Sequence, residues 1–332
     1  MKLLPALLLL LALTGCATEP SGERIVPPSG GRINHMTIVI PDDLWEGRVG
    51  DSLRNVFAAP VDGLPREEPL FSITQMPNGA FVDFAQRIRS YVQIDKGEPS
   101  VVIRKDRYAT PQTGVIIRGN TQDDIIQQLQ ENRESIVQVL KQGEVLQRQR
   151  QIAKSMLPMS RLQQTTGVTL NMPSAYRYAS KPGAAFNWLR RDIRSGDLNV
   201  TVYDLPYSFY DKDSINIDQI IRMRDSIGST NIETAEGGSF ITEQAYAPYL
   251  NRAEIAGLPA FESKGMWEVK NKFMAGPFIN YIVNDSINKR WLVLEGFAFA
   301  PSLDQREYMF ELESILKSAR ISDMSEQSPT DE

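Results

Sequence analysis

Cys16 is the residue whose chemistry is most clearly indicated by its surroundings. It is the only cysteine among the 332 residues, and it follows Lys2, an apolar run over residues 3–13, and Thr14-Gly15. A run of this length is too short to cross a bilayer, which needs about 20 apolar residues, and is typical of a signal peptide. We expect residues 1–15 to be removed and the Cys16 thiol to carry a diacylglycerol anchor. An ordinary signal peptide with an incidental cysteine is the alternative.

Other reactive side chains are few or stand in unsuitable contexts. His35 is the only histidine, so a zinc site or a serine triad would depend on one imidazole, and we expect His35 to be an exposed strand-edge residue. The pattern Ser-x-x-Lys occurs at Ser286–Lys289 and Ser314–Lys317, in a predicted turn and near a predicted helix end, whereas a nucleophilic serine should open a helix. No glycine-rich phosphate loop is present in the sequence. We therefore expect no catalytic nucleophile, metal site or cofactor.

Paired carboxylates leave one enzymatic alternative open, a hydrolase acting on glycan or peptide. The candidate acids are Asp42–Asp43, Glu67–Glu68, and Asp211 with Asp213. Each pair also has a structural interpretation, as a helix cap, a loop next to prolines, or the approach to a helix. The discriminating observation would be convergence of acids from distant segments, about 5 to 9.5 Å apart, in one cleft.

Aromatic and arginine side chains cluster in the second half of the chain. Flat rings beside guanidinium groups can stack on sugars or hold the side chains of a partner protein. Aromatic residues are equally common in ordinary strands, where their polar ends reach the surface. The residues that we predict for ligand or partner binding are Tyr176, Arg177, Trp188, Arg190, Tyr207 and Tyr210.

Charge and length restrict the class of protein. The formal charge is −5, and several acids lie in the last ten residues, so the body of the chain is close to neutral. A nucleic-acid-binding protein needs a basic face, and we exclude that class. The length is sufficient for two domains of roughly 100 to 200 residues each.

The elements that would position these residues divide the chain into segments. Pro, Gly and Ser dominate residues 16–32, which we interpret as a flexible tether after the lipidated cysteine. We expect α+β domains over residues 33–154 and 155–322, and a disordered acidic tail over 323–332. Each domain is predicted to hold an antiparallel-rich sheet backed by helices and to end as a hairpin followed by a helix, which suggests two similar units.

Local patterns give the individual elements. In the first domain they predict a strand at 36–40, a helix carrying Phe81, Phe84, Ile88 and Tyr91, a hairpin at 101–103 and 115–117, and a long helix that begins at Thr121. In the second they predict a helix from Ile217 to Gly228, paired strands at 260–269 and 278–283, a strand at 291–299 and a last helix at 303–318.

The second domain resembles the architecture shared by PsbP and Mog1 proteins. The residues that carry the resemblance are 168–173, 257–260, 294–298 and 313–318. With its lipobox, the whole chain resembles an uncharacterised family of Bacteroidetes lipoproteins catalogued as a domain of unknown function. PsbP-like and Mog1-like proteins mostly act as accessory or binding proteins, so the resemblance implies a non-enzymatic role.

We therefore expect a non-catalytic lipoprotein of the cell envelope that binds another envelope protein or a glycan, or assists assembly. The residue after Cys16 is Ala17 rather than the aspartate that retains lipoproteins in the inner membrane. This favours the outer membrane, facing the periplasm, with surface exposure as the alternative. A carrier with a closed apolar pocket is a third interpretation.

Overall fold

The computed structural model describes residues 26–211, 215–234 and 238–325. Cys16, the signal peptide and the first part of the predicted tether lie outside the described residues, as do residues 326–332 of the predicted tail. The chain forms two consecutive domains of mixed helix and sheet. The α+β class and the two-domain organisation are confirmed.

The first domain contains one sheet with helices packed on it. Its elements are β1 His35–Val39, α1 Asp42–Trp45, α2 Arg48–Phe57, β2 Ser72–Met76, β3 Ser90–Lys96, β4 Ser100–Lys105, β5 Thr113–Gly119 and α3 Gln122–Ile152. The strand order is β2-β1-β3-β5-β4. The pairings β1–β2, β1–β3 and β3–β5 are parallel, and β4–β5 is the antiparallel hairpin that the sequence predicted. The first sheet is therefore mostly parallel, unlike the antiparallel sheet expected in both domains.

Helices α2 and α3 cover one face of this sheet because their apolar residues recur at helical spacing. Leu53 and Phe57 of α2 and Leu129, Ile136 and Leu140 of α3 are buried in the same core as the β1, β3 and β5 side chains. The predicted capping box at the start of α3 is present. It satisfies backbone N–H groups that have no partner within the helix.

The segment predicted as a helix through Phe81, Phe84, Ile88 and Tyr91 is not an α-helix. It forms two short 3₁₀ turns, Asn78–Ala80 and Ala85–Arg87, and then enters β3. Phe81 and Tyr91 pack together on the face of the sheet opposite α2 and α3, with ring centroids 5.0 Å apart. Spacing alone suggested a helix, but pairing of β3 with both β1 and β5 determines its conformation.

Residues at the end of the predicted tether already contact the first domain. Gly30 forms a β-bridge with Ile88, and the Arg89 guanidinium donates to the backbone carbonyls of Gly31 and Arg32 at 3.0 and 2.7 Å. Arg89 itself pairs with Glu144 of α3, at 2.9 to 3.0 Å, and both side chains are almost fully buried. A buried ion pair thus fixes the entry of the chain against α3.

The second domain is built around a larger sheet. Its elements are α4 Ser160–Thr166, β6 Val168–Thr169, β7 Arg177–Tyr178, β8 Asn187–Ile193, β9 Gly196–Pro206, α5 Ile217–Asn231, β10 Phe240–Thr242, β11 Tyr249–Ile255, β12 Leu258–Val269, β13 Ala275–Asp285, β14 Arg290–Phe299, α6 Arg306–Leu316 and β15 Arg320–Ile321. The order is β10-β12-β13-β14-β9-β8-β7, with β11 paired to β12. Every pairing described in this sheet is antiparallel, as expected.

Helices α6 and α5 pack on opposite faces of this sheet, because side chains alternate along each strand. On β13, Ile279 and Tyr281 belong to the core that includes α6, whereas Ile282 packs with α5. Arg224 anchors α5 through paired hydrogen bonds of 2.7 and 2.8 Å to Glu295 of β14. Both domains end with an antiparallel hairpin followed by a helix on the sheet, as the sequence suggested.

Candidate functional site

Buried charged groups cross the boundary between the two domains, which meet along α3 and α6. Glu311 of α6 is 3% exposed and accepts hydrogen bonds from Arg191 at 2.6 Å, from the Tyr176 hydroxyl at 3.1 Å, and from Arg148 of α3. Three donors from separate segments therefore fix one carboxylate at the interface. Such a network specifies how the domains are placed against each other.

A second contact between the domains is a helix cap. The Glu68 carboxylate, in the loop before β2, accepts the backbone N–H groups of Gln305 and Arg306 at 2.6 and 3.0 Å. These groups begin α6 and have no partner within the helix, and a negative charge at this end is favoured by the helix dipole. The first domain thereby stabilises a helix of the second.

A cavity of about 360 Å³ lies between the domains. Its walls come from the loop that follows α2, from α3, from β12 and β13, and from α6. Ligand sites are commonly clefts of about 300 to 1,000 Å³ at domain boundaries, mostly apolar with a few convergent polar groups. The apolar lining is Ala59, Pro60, Val61, Leu64, Leu70, Pro277, Phe278, Ile279, Met309 and Phe310, and the charged lining is Asp62, Arg133, Lys141, Lys264, Arg306 and Glu313.

Lys141 of α3 is a cation of this cavity that has a hydrogen bond but no ion pair among the described residues. Its Nζ donates a hydrogen bond of 3.0 Å to the Asn34 side-chain oxygen and lies 4.5 and 5.2 Å from the ring centroids of Phe310 and Phe71. Among the described residues no carboxylate forms an ion pair with it. Burial, with Lys264 and Arg306 adding repulsion, lowers the pKa of Lys141 to about 8 despite the attraction of nearby glutamates.

Lys264 and Glu313 of the cavity are already paired. Lys264 of β12 lies 3.1 Å from Glu262, and attraction by Glu313 and Glu262 raises its pKa although burial alone would lower it. Glu313 of α6 accepts from Lys317 at 2.6 Å. Burial would raise the pKa of Glu313, but Lys264, Lys317 and Lys141 together hold it well below its ordinary value. Glu313 therefore stays ionised at neutral pH.

Arg133 completes the charged lining. It lies two turns before Lys141 on α3, its side chain is exposed, and within the described part of the chain it has no hydrogen-bond or ion-pair partner. Arg306, in contrast, is bound to Glu307 and to the backbone oxygen of Pro69, at 2.8 Å in each case. Among the described residues, Lys141 and Arg133 are thus cations of this cavity without an ion pair, and Asp62, which attracts Lys264 from the loop after α2, is a carboxylate of the lining that also lacks one.

None of these cavity residues was predicted from the sequence as a site residue. A lysine and an arginine eight positions apart on a long polar helix are an ordinary pattern for a solvated face. Their place beside β12, β13 and α6 arises from residues more than a hundred positions away, which no local pattern contains.

The residues predicted for binding lie in several places. Arg177, Trp188 and Arg190 share one face of the β7–β8 pair, with Arg177 directly opposite Arg190. Trp188 and Arg190 line a smaller cavity of about 210 Å³, and the Trp188 indole donates to Asn199 at 2.9 Å. Arg177 is largely exposed and forms an ion pair of 2.9 Å with Asp192.

The three predicted tyrosines are elsewhere. Tyr176 is buried at the domain boundary on Glu311. Tyr207 is 41% exposed and stacks on Trp291, with ring centroids 6.0 Å apart, and the buried Tyr210 meets the same indole edge-on at 5.7 Å. The six residues therefore do not form one site. A binding role for Arg177, Trp188 and Arg190, which share one face of the β7–β8 pair, stays a prediction.

The acids of the hydrolase alternative are also dispersed. Asp42 lies in the first turn of α1 and accepts a hydrogen bond from Gln75 at 2.8 Å, whereas Glu68 caps α6. Asp211 follows the β9 segment, and Asp213 lies outside the described residues. The candidate pairs that can be placed do not converge on one cleft.

His35 begins β1, which lies between β2 and β3 rather than at an edge of the sheet. Its side chain is partly buried, and burial together with Arg306 and Arg32 lowers its pKa. Across residues 26–211, 215–234 and 238–325, no cluster of three or more metal-ligating side chains is found. The helices of these same residues include none with the length and apolar character needed to cross a membrane.

Each domain matches a protein family of unknown function. Residues 154–318 match the family described as Domain of unknown function (DUF4837), and residues 29–153 match Domain of unknown function (DUF8532). No curated protein matches the chain in sequence. The expectation of an uncharacterised family is confirmed in this form, and its assignment to Bacteroidetes stays a prediction.

Two solved structures show distant likeness to the chain. One is LpqN of Mycobacterium tuberculosis, described as involved in cell envelope biogenesis, with 15% identity and a TM-score of 0.28 over 47% of this chain and 83% of LpqN. The other is the cyanobacterial PsbP of Synechocystis sp. PCC 6803, with 9% identity and a TM-score of 0.30 over 45% of this chain and 84% of that protein.

Proposed function

We propose that this chain is a non-catalytic, lipid-anchored binding protein of the cell envelope, and that its ligand is a small molecule held between the two domains. The observation that carries the proposal is the cavity of about 360 Å³ between them, with apolar walls and a few charged groups. Its size, its position at a domain boundary and its lining are those of a small-molecule site.

The boundary around the cavity is fixed, which favours specific binding. Glu311 and Glu68 each accept more than one hydrogen bond across or beside the boundary. Walls that are ordered before the ligand enters reduce the entropy lost on binding.

The charges in the cavity support binding rather than hydrolysis. A glycoside hydrolase needs one carboxyl group that stays protonated near neutral pH, beside a second that is ionised. The lysines around Glu313 hold its pKa low, so this carboxyl group cannot be the proton donor. The other candidate acids that can be placed do not line the cavity, and Glu68, which lies beside it, accepts the backbone N–H groups that begin α6.

The membrane anchor is the second part of the proposal. Cys16 with its preceding apolar run supports lipidation, and Ala17 after it supports an outer-membrane position facing the periplasm. Contact with the first domain begins by Pro27, whose backbone oxygen accepts a hydrogen bond from the Thr110 N–H at 2.9 Å, and continues at Pro28, which bridges to Thr110. The residues between Cys16 and Pro28 can reach at most about 40 Å when fully extended, so the domains work near the membrane surface.

Metabolic labelling tests the anchor. We expect radiolabelled palmitate to enter the wild-type protein, and Cys16→Ser to abolish both the label and the processing that depends on it. Protease treatment of intact cells then distinguishes a periplasmic from a surface position. An unlabelled wild-type protein, or a normally processed and membrane-bound C16S variant, would contradict the anchor.

Occlusion tests the cavity. Val61 lines it and is partly exposed, so Val61→Trp should fill part of the space, while Ile103→Trp places the same ring on the exposed face of β4. The wild-type protein and both variants are purified from their native envelope, and bound small molecules are extracted and identified by mass spectrometry. We expect a molecule that accompanies the wild type and I103W but not V61W. Equal recovery from all three proteins, or from none, would refute the cavity as the site.

A further inference from the structure

The interdomain cavity holds an ammonium group whose counter-charge is missing. Lys141 Nζ has a neutral amide oxygen and two aromatic faces as neighbours, and among the described residues no carboxylate lies within ion-pair distance. A buried charge without a partner is unfavourable, and an anion placed beside it gains a strong charge-assisted hydrogen bond.

The charges on α6 and β12 do not supply the missing anion, and Asp62, in the loop after α2, attracts Lys264 and forms no ion pair with Lys141. On α6, Glu313 is bound to Lys317 and Glu307 to Arg306. On β12, Lys264 is bound to Glu262, which also accepts the Tyr281 hydroxyl at 2.6 Å. Glu313 and Glu307, the carboxylates of α6 that attract Lys141, therefore each form an ion pair with another cation.

Further positive charge comes from α3 itself. Arg133 lines the same cavity two turns away and has no partner among the described residues. Lys141 and Arg133 thus place two cations on the α3 wall of the cavity, about 12 Å apart along the helix axis, while Leu64, Leu70 and Met309 provide apolar walls. A ligand that matches both parts has an anionic head and an apolar body.

We propose that the cavity takes a single-chain amphiphile with a carboxylate or phosphate head, the head pairing with Lys141 and the chain lying against the apolar walls. This inference rests on the proposed binding function and adds the chemical class of the ligand.

Proton linkage follows from the same contact. A bound anion favours the charged form of Lys141, whose pKa is about 8 in the free protein, so binding raises that pKa. Anion binding is then strongest below pH 8 and weakens as the pH rises and Lys141 loses its proton. Binding of a neutral amphiphile lacks this dependence on Lys141.

Four eight-carbon probes test the ligand class: octanoate, octyl phosphate, octanol and octyltrimethylammonium. Their affinities for the full mature protein are measured by titration calorimetry at pH 7 and pH 9.5. We expect the two anions to bind at least about tenfold more tightly than octanol at pH 7, and the cation to bind most weakly. Octanoate should lose most of this advantage at pH 9.5.

Lys141→Met keeps the length of the side chain and removes the charge, and Lys154→Met is the matched control at an exposed position beyond α3. K141M should bind octanoate and octanol equally, while K154M should behave as the wild type. The pH series on the wild-type protein gives the same information if K141M fails to fold.

The outcomes separate the two proposals. Equal binding of octanol and octanoate to the wild type, at both pH values, would overturn the anionic head and leave the cavity as a ligand site. Octanoate binding that K141M retains in full would overturn the role of Lys141. Weaker binding of every probe in V61W than in I103W supports the cavity itself, and failure of all four probes to bind would overturn both the anionic ligand and the proposed function.

Discussion

Replacement of Lys141 by methionine should raise the free energy of unfolding at pH 7, and the gain should disappear at high pH. The ammonium group has one hydrogen bond, to Asn34, and no ion pair within the part of the chain that the structure describes. Its burial therefore disfavours the charged form in the folded state. Methionine has a similar length, fits among apolar neighbours and has no charge.

The magnitude follows from the pKa of Lys141, which falls from 10.5 to about 8 in the folded chain. At 1.36 kcal/mol per pH unit, the charged form is disfavoured by about 3 kcal/mol. The lost hydrogen bond to Asn34 offsets about 1 kcal/mol of this. K141M should therefore be more stable than the wild type by about 2 kcal/mol at pH 7.

The pH dependence has a definite sign. Between pH 8 and 10.5 the unfolded wild-type chain binds more protons at Lys141 than the folded chain does, so wild-type stability rises with pH relative to K141M. The advantage of the variant should shrink by about 3 kcal/mol over this interval. Contributions of the other titrating groups are common to both proteins and cancel in the difference.

Urea unfolding followed by tryptophan fluorescence, at pH 7, 8.5 and 10, measures this difference. Lys154→Met is the control for loss of one exposed lysine. The difference between its free energy of unfolding and that of the wild type should be the same at every pH. If the free energies of unfolding of K141M and of the wild type also change in parallel with pH, the claim that Lys141 carries a buried, uncompensated charge is refuted.

Two further changes test the contacts that fix the domains. Glu144→Gln leaves the buried Arg89 guanidinium without a counter-charge, so we expect a loss of about 3 to 5 kcal/mol in urea unfolding; a loss below about 1 kcal/mol would contradict this. Glu68→Gln weakens the cap on α6 and should lower stability by about 1 kcal/mol and speed amide exchange in the first turn of that helix. The exposed neighbour supplies the control Glu67→Gln, which should change neither measurement.

Local pattern predicted the elements whose stabilising contacts are close in sequence. The capping box at Thr121, the helix from Ile217 and the β12–β13 pairing occur as expected. Helix caps depend on residues three or four positions apart, and hairpin strands on short connections. The prediction of a helix over Phe81 to Tyr91 was wrong. The apolar residues there pack on one face of the sheet, and Tyr91 belongs to a central parallel strand.

The candidate site could not be predicted in the same way. Tyr176 was expected at a binding surface but is buried on Glu311, 135 positions away. Lys141 had no unusual neighbours in sequence, yet its contact with Asn34 spans 107 positions. A side chain acquires such surroundings only when segments far apart along the chain pack together.

The amino-acid sequence by itself determined the prediction of a lipidated Cys16, the two α+β domains and most of their hairpins and helices, because these follow from short apolar runs, caps and alternation. The tertiary structure alone decided the parallel order of the first sheet and the cavity in which Lys141 has no counter-ion among the residues that the structure describes. The physical reason is that burial and pairing of charges depend on distance in space, and α3 and α6, which bring these charges together, are far apart along the chain.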